Sequence, residues 1–162
     1  MRRWLPLLLI LAAAAVVTPW YLRNRWSSQG ELVRGPTYEG IILDMAHVEG
    51  EGAPKSWPMD TQSVQLLEQR LPLFLHAGTN DVAGIAGNLG DYYRQYSPVM
   101  RGRKHLIAVE FFHHDLITRY QWLHRTPVLP GGGRLHCRAL YETERGIFLS
   151  FQPVEEAGAP TP

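Results

Sequence analysis

Seven histidines and one cysteine in 162 residues bring metal binding and thiol chemistry forward first. His113-His114-Asp115, His124 and His136-Cys137 carry the side-chain types that hold divalent ions. Their spacing argues against a simple site. Successive side chains on a strand point to opposite faces, so neither His113 with His114 nor His136 with Cys137 can share one ion on a regular strand. No spacing in the sequence matches a zinc pattern. Cys137 shares parity with Leu135, Ala139 and Tyr141, which places it in a core, whereas a nucleophilic thiol needs a cation or helix N-terminus beside it. Acid–base chemistry would use His113 or His114 with Glu110 or Asp115, a pairing with no motif behind it. There is no Gly-x-Ser-x-Gly elbow. Gly84, Gly87 and Gly90 match neither a phosphate loop nor a dinucleotide fingerprint.

The remaining constellation is one of recognition. Tyr92, Arg94 and Tyr96 share one face of a strand, and Glu110, Phe112 and His114 alternate with the apolar Ile107, Val109 and Phe111. A sheet face carrying Tyr92, Arg94, Tyr96, Glu110 and His114 suits a partner or an anionic ligand held by cross-strand neighbours. The plainer reading makes Arg94 and Glu110 a cross-strand ion pair, worth little if exposed, and the tyrosines ordinary strand formers. Arg101, Arg103, Lys104 and His105 add a basic tip, either a solvated turn or a surface drawn to anionic lipid.

These residues need a hairpin to hold them. From Tyr92 to Asp115, two runs rich in aromatic and β-branched residues flank a polar turn at Gly102. A second hairpin, Arg134 to Glu142 and Ile147 to Val154, turns at Glu144-Arg145-Gly146. Residues 116–130 read as irregular and 77–90 as loop. Asp60 stands as N-cap before a helix with Val64, Leu67, Leu71 and Phe74 or Leu75 on one stripe, kinked at Pro72 or ended near it. Thr37 to Met45 reads as a first strand with Ile41, Leu43 and Met45 on one face, weakened by Gly40.

The N-terminus gives an address. Arg2 and Arg3 precede an apolar run, and residues 4–22 nearly reach the length that spans a bilayer. Trp20 and Tyr21 fall where interfacial aromatics lie. Ala12 to Ala15, the candidate cleavage residues, sit inside the run, which favours an uncleaved signal-anchor over a cleaved signal. Arg2, Arg3, Arg23 and Arg25 contribute +4 to a net charge of +1, leaving the remaining residues at −3. A mildly acidic exported domain is a poor nucleic-acid binder. A single cysteine excludes an internal disulfide framework.

Trp57-Pro58, Leu71-Pro72, Tyr92-x-Arg94-Gln95-Tyr96, Phe111-Phe112, Trp122 and Gly132-Gly133 together resemble a group of small uncharacterised bacterial exported proteins, many of them lipoprotein-like, with a cystatin-like α+β shape. The resemblance covers about residues 57–151 and implies a fold and an address, with no catalytic residues. The sequence lacks a lipoprotein cysteine, and Gln62-Ser63-Val64-Gln65-Leu66 is not the inhibitory cystatin loop.

The expected organisation is therefore a signal-anchor or signal peptide at 1–26, a tether at 27–36, an α+β domain at 37–156 and a disordered tail at 157–162. The domain is expected to pack one main helix on a curled antiparallel sheet of four to five strands, cystatin-like, preceded by a hydrophobic N-terminal helix. The expected function is an exported binding or assembly module for an unknown protein partner, in the inner membrane with its domain in the periplasm, or free in the periplasm if the signal is cleaved. No cofactor, metal or catalytic residue is assigned. The alternatives are a small periplasmic enzyme using His/Glu acid–base chemistry and a histidine-based metal-binding protein.

Overall fold

The turn at Gly102 sets the register of the largest hairpin. In a computed structural model, which describes residues 30–43, 56–77, 80–81, 83–124 and 132–154, Gly102 has φ +65°. That conformation at the first position of a two-residue loop matches the twist of the flanking strands and suits glycine. The order of elements is β1 (Gly30–Gly35), β2 (Tyr38–Leu43), α1 (Thr61–His76), a 3₁₀ turn (Ala86–Asp91), β3 (Tyr92–Arg101), β4 (Lys104–His113), α2 (Arg119–His124), β5 (Gly133–Glu142) and β6 (Ile147–Val154). The strands lie side by side in sequence order as one sheet. β2 and β3 are parallel, and every other neighbouring pair is antiparallel.

A six-stranded mixed sheet corrects the expected four to five antiparallel strands of a cystatin-like fold. Two physical causes account for the difference. Residues 30–35, read as tether, pair with β2 from Gly30↔Leu43 to Gly35↔Tyr38. Only Val33 of this edge strand is fully buried, so it carries almost no alternating apolar signal. In addition, α1 returns the polypeptide to the end of the sheet where β2 began, and a crossover of that kind makes the strands it joins parallel. The apolar stretch 4–22, expected as a hydrophobic helix, and the tail 157–162 lie outside the described residues. Among the described residues, no helix is long and apolar enough to cross a membrane.

α1 begins as its sequence dictates, with Asp60 Oδ1 accepting from Ser63 N at 2.8 Å and from Ser63 Oγ at 2.7 Å. Pro72 lies inside α1, which continues to His76. Val64, Leu67, Leu71 and Leu75 are buried against the sheet with Val109, Phe111, Ala139 and Tyr141. Truncating one of these leucines to alanine should cost about 2–5 kcal/mol. The opposite face is covered in part by α2. Trp122 is fully buried there with Ile41, Leu43, Phe112 and Ile117. α2 starts in a reciprocal capping box: Gln121 N donates to Thr118 Oγ1 at 3.2 Å, and Thr118 N donates to Gln121 Oε1 at 2.9 Å. Arg119 is thereby fixed at the first helical position, beside the sheet end where β2 and β3 begin.

Candidate functional site

At that end of the sheet the β1–β2 turn, the start of β3, His114 and Arg119 enclose an open cleft of about 590 Å³. Its polar centre is Glu39 on β2. Pairing across the β1–β2 hairpin sets Arg34 opposite Glu39, with Arg34 Nη2 2.7 Å and Nε 3.0 Å from Glu39 Oε1. From the other side, Arg119 Nη2 donates to Oε1 at 2.6 Å and its Nε to Oε2 at 3.1 Å. Two guanidiniums thus bracket one carboxylate. The Arg119 hydrogen bonds, opposed by partial burial and helped by Arg34, hold the Glu39 carboxyl below its ordinary range.

Glu39 is level with Tyr93 across the parallel β2–β3 pair. The Tyr93 ring is stacked on Trp122, with centroids 4.7 Å apart, and tilted against His114 at 4.1 Å. An aromatic column from the buried Trp122 to the cleft wall therefore stands beside the Arg34–Glu39–Arg119 array. Burial lowers the His114 imidazole pKa from its ordinary value despite the opposing pull of Asp91. Tyr92 also lines the cleft. Its hydroxyl donates to Arg134 O at 3.0 Å, and burial pushes its pKa up to about 12.

On the helix side of the same turn lies a second cleft of about 340 Å³, lined by Thr37, Tyr38, Gln65 and Glu68 among others. Glu68 projects from the apolar stripe of α1 and accepts from the Tyr96 hydroxyl at 2.7 Å. Arg94 Nε lies 3.0 Å from the same Oε1. Its N–H is turned off that line, so the contact is ionic without being a hydrogen bond. The guanidinium donates instead to Tyr92 O at 3.2 Å and Leu89 O at 3.0 Å, and its Cζ lies 5.6 Å from the ring centroids of both Tyr38 and Phe111. Burial pushes Glu68 above the ordinary carboxylate range against the opposing pull of Arg94 and the Tyr96 hydrogen bond.

The five residues read as one recognition face are distributed over three places. Tyr92 and His114 both line the open cleft. Arg94 and Tyr96 are buried with Glu68. Glu110 stands on the opposite face from Arg94, because the register pairs Arg94 with Phe111 and Gln95 with Glu110. Glu110 therefore forms no cross-strand pair with Arg94. It accepts from Arg138 Nε at 2.6 Å and lies 2.8 Å from His136 Nε2. Burial works to raise the Glu110 pKa, but these two partners together hold it below the usual range.

His113, His124 and His136 do not converge. His113 Nδ1 accepts from Asp115 N at 3.2 Å, His124 packs on Tyr120, and His136 stacks on Phe112. Among the described residues, no group of three or more His, Cys, Asp or Glu is placed to hold a metal ion. Cys137 is fully buried, its Sγ 3.4 Å from Arg134 O, and burial pushes the thiol up to about 12. A thiol so placed is not a nucleophile at neutral pH.

Arg34, Glu39, Tyr93, Arg119 and Glu68 are the site residues that the sequence reading passed over. Glu68 had a signal: with Val64, Leu67, Leu71 and Leu75 it falls on the buried stripe of α1, and a charge on such a stripe needs a partner. Of the others, Arg34 and Glu39 face each other across the short β1–β2 turn inside the stretch read as tether, and Tyr93 and Arg119 join them only through pairings distant in sequence. No family model, curated protein or solved structure matches this protein.

Proposed function

We propose that the protein is an exported, membrane-anchored binding module whose partner presents a carboxylate to the cleft between Arg34 and Arg119. One observation carries the reading: two guanidiniums share a single carboxylate, Glu39, at the mouth of an open cleft walled by Tyr93 and His114. The array has one positive charge in excess, and arginine's planar fork suits bidentate carboxylate recognition. The aromatic column offers an apolar flank on which the neighbouring part of a ligand can lie. An acidic side chain or the terminal carboxylate of a polypeptide has the required chemistry. The address rests on Arg2 and Arg3 followed by the apolar run to residue 22.

The test is photo-crosslinking in intact cells, with the reactive group replacing Tyr93 or His114. A protein adduct is expected at both positions, absent when the probe replaces Glu144 and lost on adding Arg34→Ala and Arg119→Ala. Adducts that ignore the loss of both arginines, or no adduct from either position, overturn the carboxylate-binding cleft.

A further inference from the structure

The end of the sheet opposite the cleft carries the β3–β4 turn, and its charges are unevenly matched. Lys104 Nζ lies 3.1 Å from Glu142, and Arg145 Nη1 lies 3.9 Å from the same carboxylate. His105 Nδ1 lies 3.4 Å from Glu144. Arg101 and Arg103 are exposed, and neither has a side-chain partner among the described residues. Glu142 pairs with Leu106, whereas the hairpin closes at Arg101↔Lys104, two residues further out. The acids therefore stand behind the tip, and the unpaired guanidiniums lead.

The path of the polypeptide directs this tip toward the bilayer. β1 runs antiparallel to β2, with Gly30 level with Leu43, and Ile42 is level with Tyr96 of the parallel β3. Gly30 and Arg101 therefore point to the same end of the sheet. Arg101 lies four residues past the level of Gly30, about 13 Å further out at roughly 3.3 Å per residue. Seven residues, 23–29, join the apolar run to Gly30, and fully extended they reach at most about 25 Å. Even at that extreme the tip comes within about 12 Å of the surface, close to a Debye length of about 8–10 Å at physiological salt. A path of about 13 Å or less, the distance the tip stands beyond Gly30, brings it into contact.

We infer that the β3–β4 turn is a lipid-contacting surface in which Arg101 and Arg103 dock on anionic headgroups, turning the cleft away from the membrane. The inference rests on residues 4–22 being a membrane anchor and is independent of what the cleft binds. Each arginine near an anionic surface is expected to strengthen the contact about fivefold, and the pair about 25-fold.

The experiment uses the full-length protein in phosphatidylcholine vesicles with or without phosphatidylglycerol, and lipids carrying a headgroup quencher. A fluorophore is placed at Met100→Cys beside the tip or at Thr37→Cys beside the cleft; the buried Cys137 stays unlabelled. Quenching at 100 is expected only with phosphatidylglycerol, reversed by salt and by Arg101→Ala with Arg103→Ala, while the probe at 37 stays bright. Equal quenching in both lipid mixtures, indifference to the double substitution, or quenching at 37 to match that at 100 overturns the inference. Flotation is read in parallel. Protein that fails to float with either vesicle removes the anchor, and the inference with it, without touching the cleft.

Discussion

Arg94→Met is the substitution whose outcome the structure constrains most tightly. The arginine side chain is 1% exposed and its partner Glu68 5%. Removing the guanidinium leaves a buried carboxylate without its counter-charge, hydrogen-bonded among the described residues by the Tyr96 hydroxyl, and strips the guanidinium's hydrogen bonds from Tyr92 O and Leu89 O. Breaking one side of a buried pair costs about 3–5 kcal/mol. At about 4 °C per kcal/mol for a domain of this size, the melting temperature should fall by about 12–20 °C. Replacing the group together, as Glu68→Met, Arg94→Met and Tyr96→Phe, should recover most of that loss, because no polar side chain of the triad is then left unmatched.

The pH dependence separates an electrostatic cause from a packing one. Burial already raises the Glu68 pKa in the folded protein, and Arg94 opposes it. Without Arg94 the folded value climbs further above the unfolded value of about 4.3. Between those two values the folded state holds more protons than the unfolded one, so stability rises as pH falls through the window. Melts of the purified full-length protein should therefore show Arg94→Met recovering on acidification from pH 7.5 toward pH 5, relative to the triple variant. A loss below about 1 kcal/mol, or a pH profile parallel to that of the triple variant, would refute the reasoning.

Gly40→Ala should destabilise by about 1–3 kcal/mol in chemical denaturation, since its Cβ would stand 2.3 Å from Tyr96 Cε2 and displace that ring from Glu68; an unchanged midpoint would contradict the packing. Cys137, with its pKa near 12, should be inert to thiol reagents at pH 8, where about one part in ten thousand is thiolate, and react fully only on denaturation. The His114 ring should titrate by NMR with a midpoint below 6.5, because burial disfavours its charge; as the unfolded ring takes its proton first, acidification through that window weakens the fold.

Much of the architecture was legible because its determinants are local. The turn residue Gly102, the Asp60 cap and the Val64–Leu67–Leu71 stripe each act within a few positions, and the elements they imply are present. Pro72 lies four residues before the end of α1, and the turn that follows it still buries Leu75, one of the two residues read as the last of the stripe. β1 was missed because an edge strand with Glu31, Arg34 and two terminal glycines has one buried side chain to declare itself. Its partner β2 keeps Ile41 and Leu43 on one face, toward Trp122, and also buries Ile42 on the other, toward α1; Met45, read onto the first face, lies outside the described residues.

The candidate site shows a sharper limit. Tyr92, Arg94 and Tyr96 were placed on one face correctly, and so were Glu110, Phe112 and His114. What failed was the relation between the two sets. A two-residue loop at Gly102-Arg103 pairs even positions of β3 with odd positions of β4, and a shift of one residue exchanges every side chain between faces. Exact placement of that loop would have sent Arg94 to Phe111 and left Glu110 free for Arg138. In the Arg34–Glu39–Arg119 array a short turn sets Arg34 opposite Glu39, but Arg119 comes from 80 residues away and needs the parallel crossover and the Thr118 cap, for which no short-range rule exists. Those same pairings put Gly30 and the arginine tip at one end of the sheet and the cleft at the other. In a module tethered through Gly30, a carboxylate-binding cleft beside the bilayer would compete with anionic headgroups for Arg34 and Arg119. Holding it a full strand length away, about 33 Å for the ten residues of β3, would put it several Debye lengths from that competition.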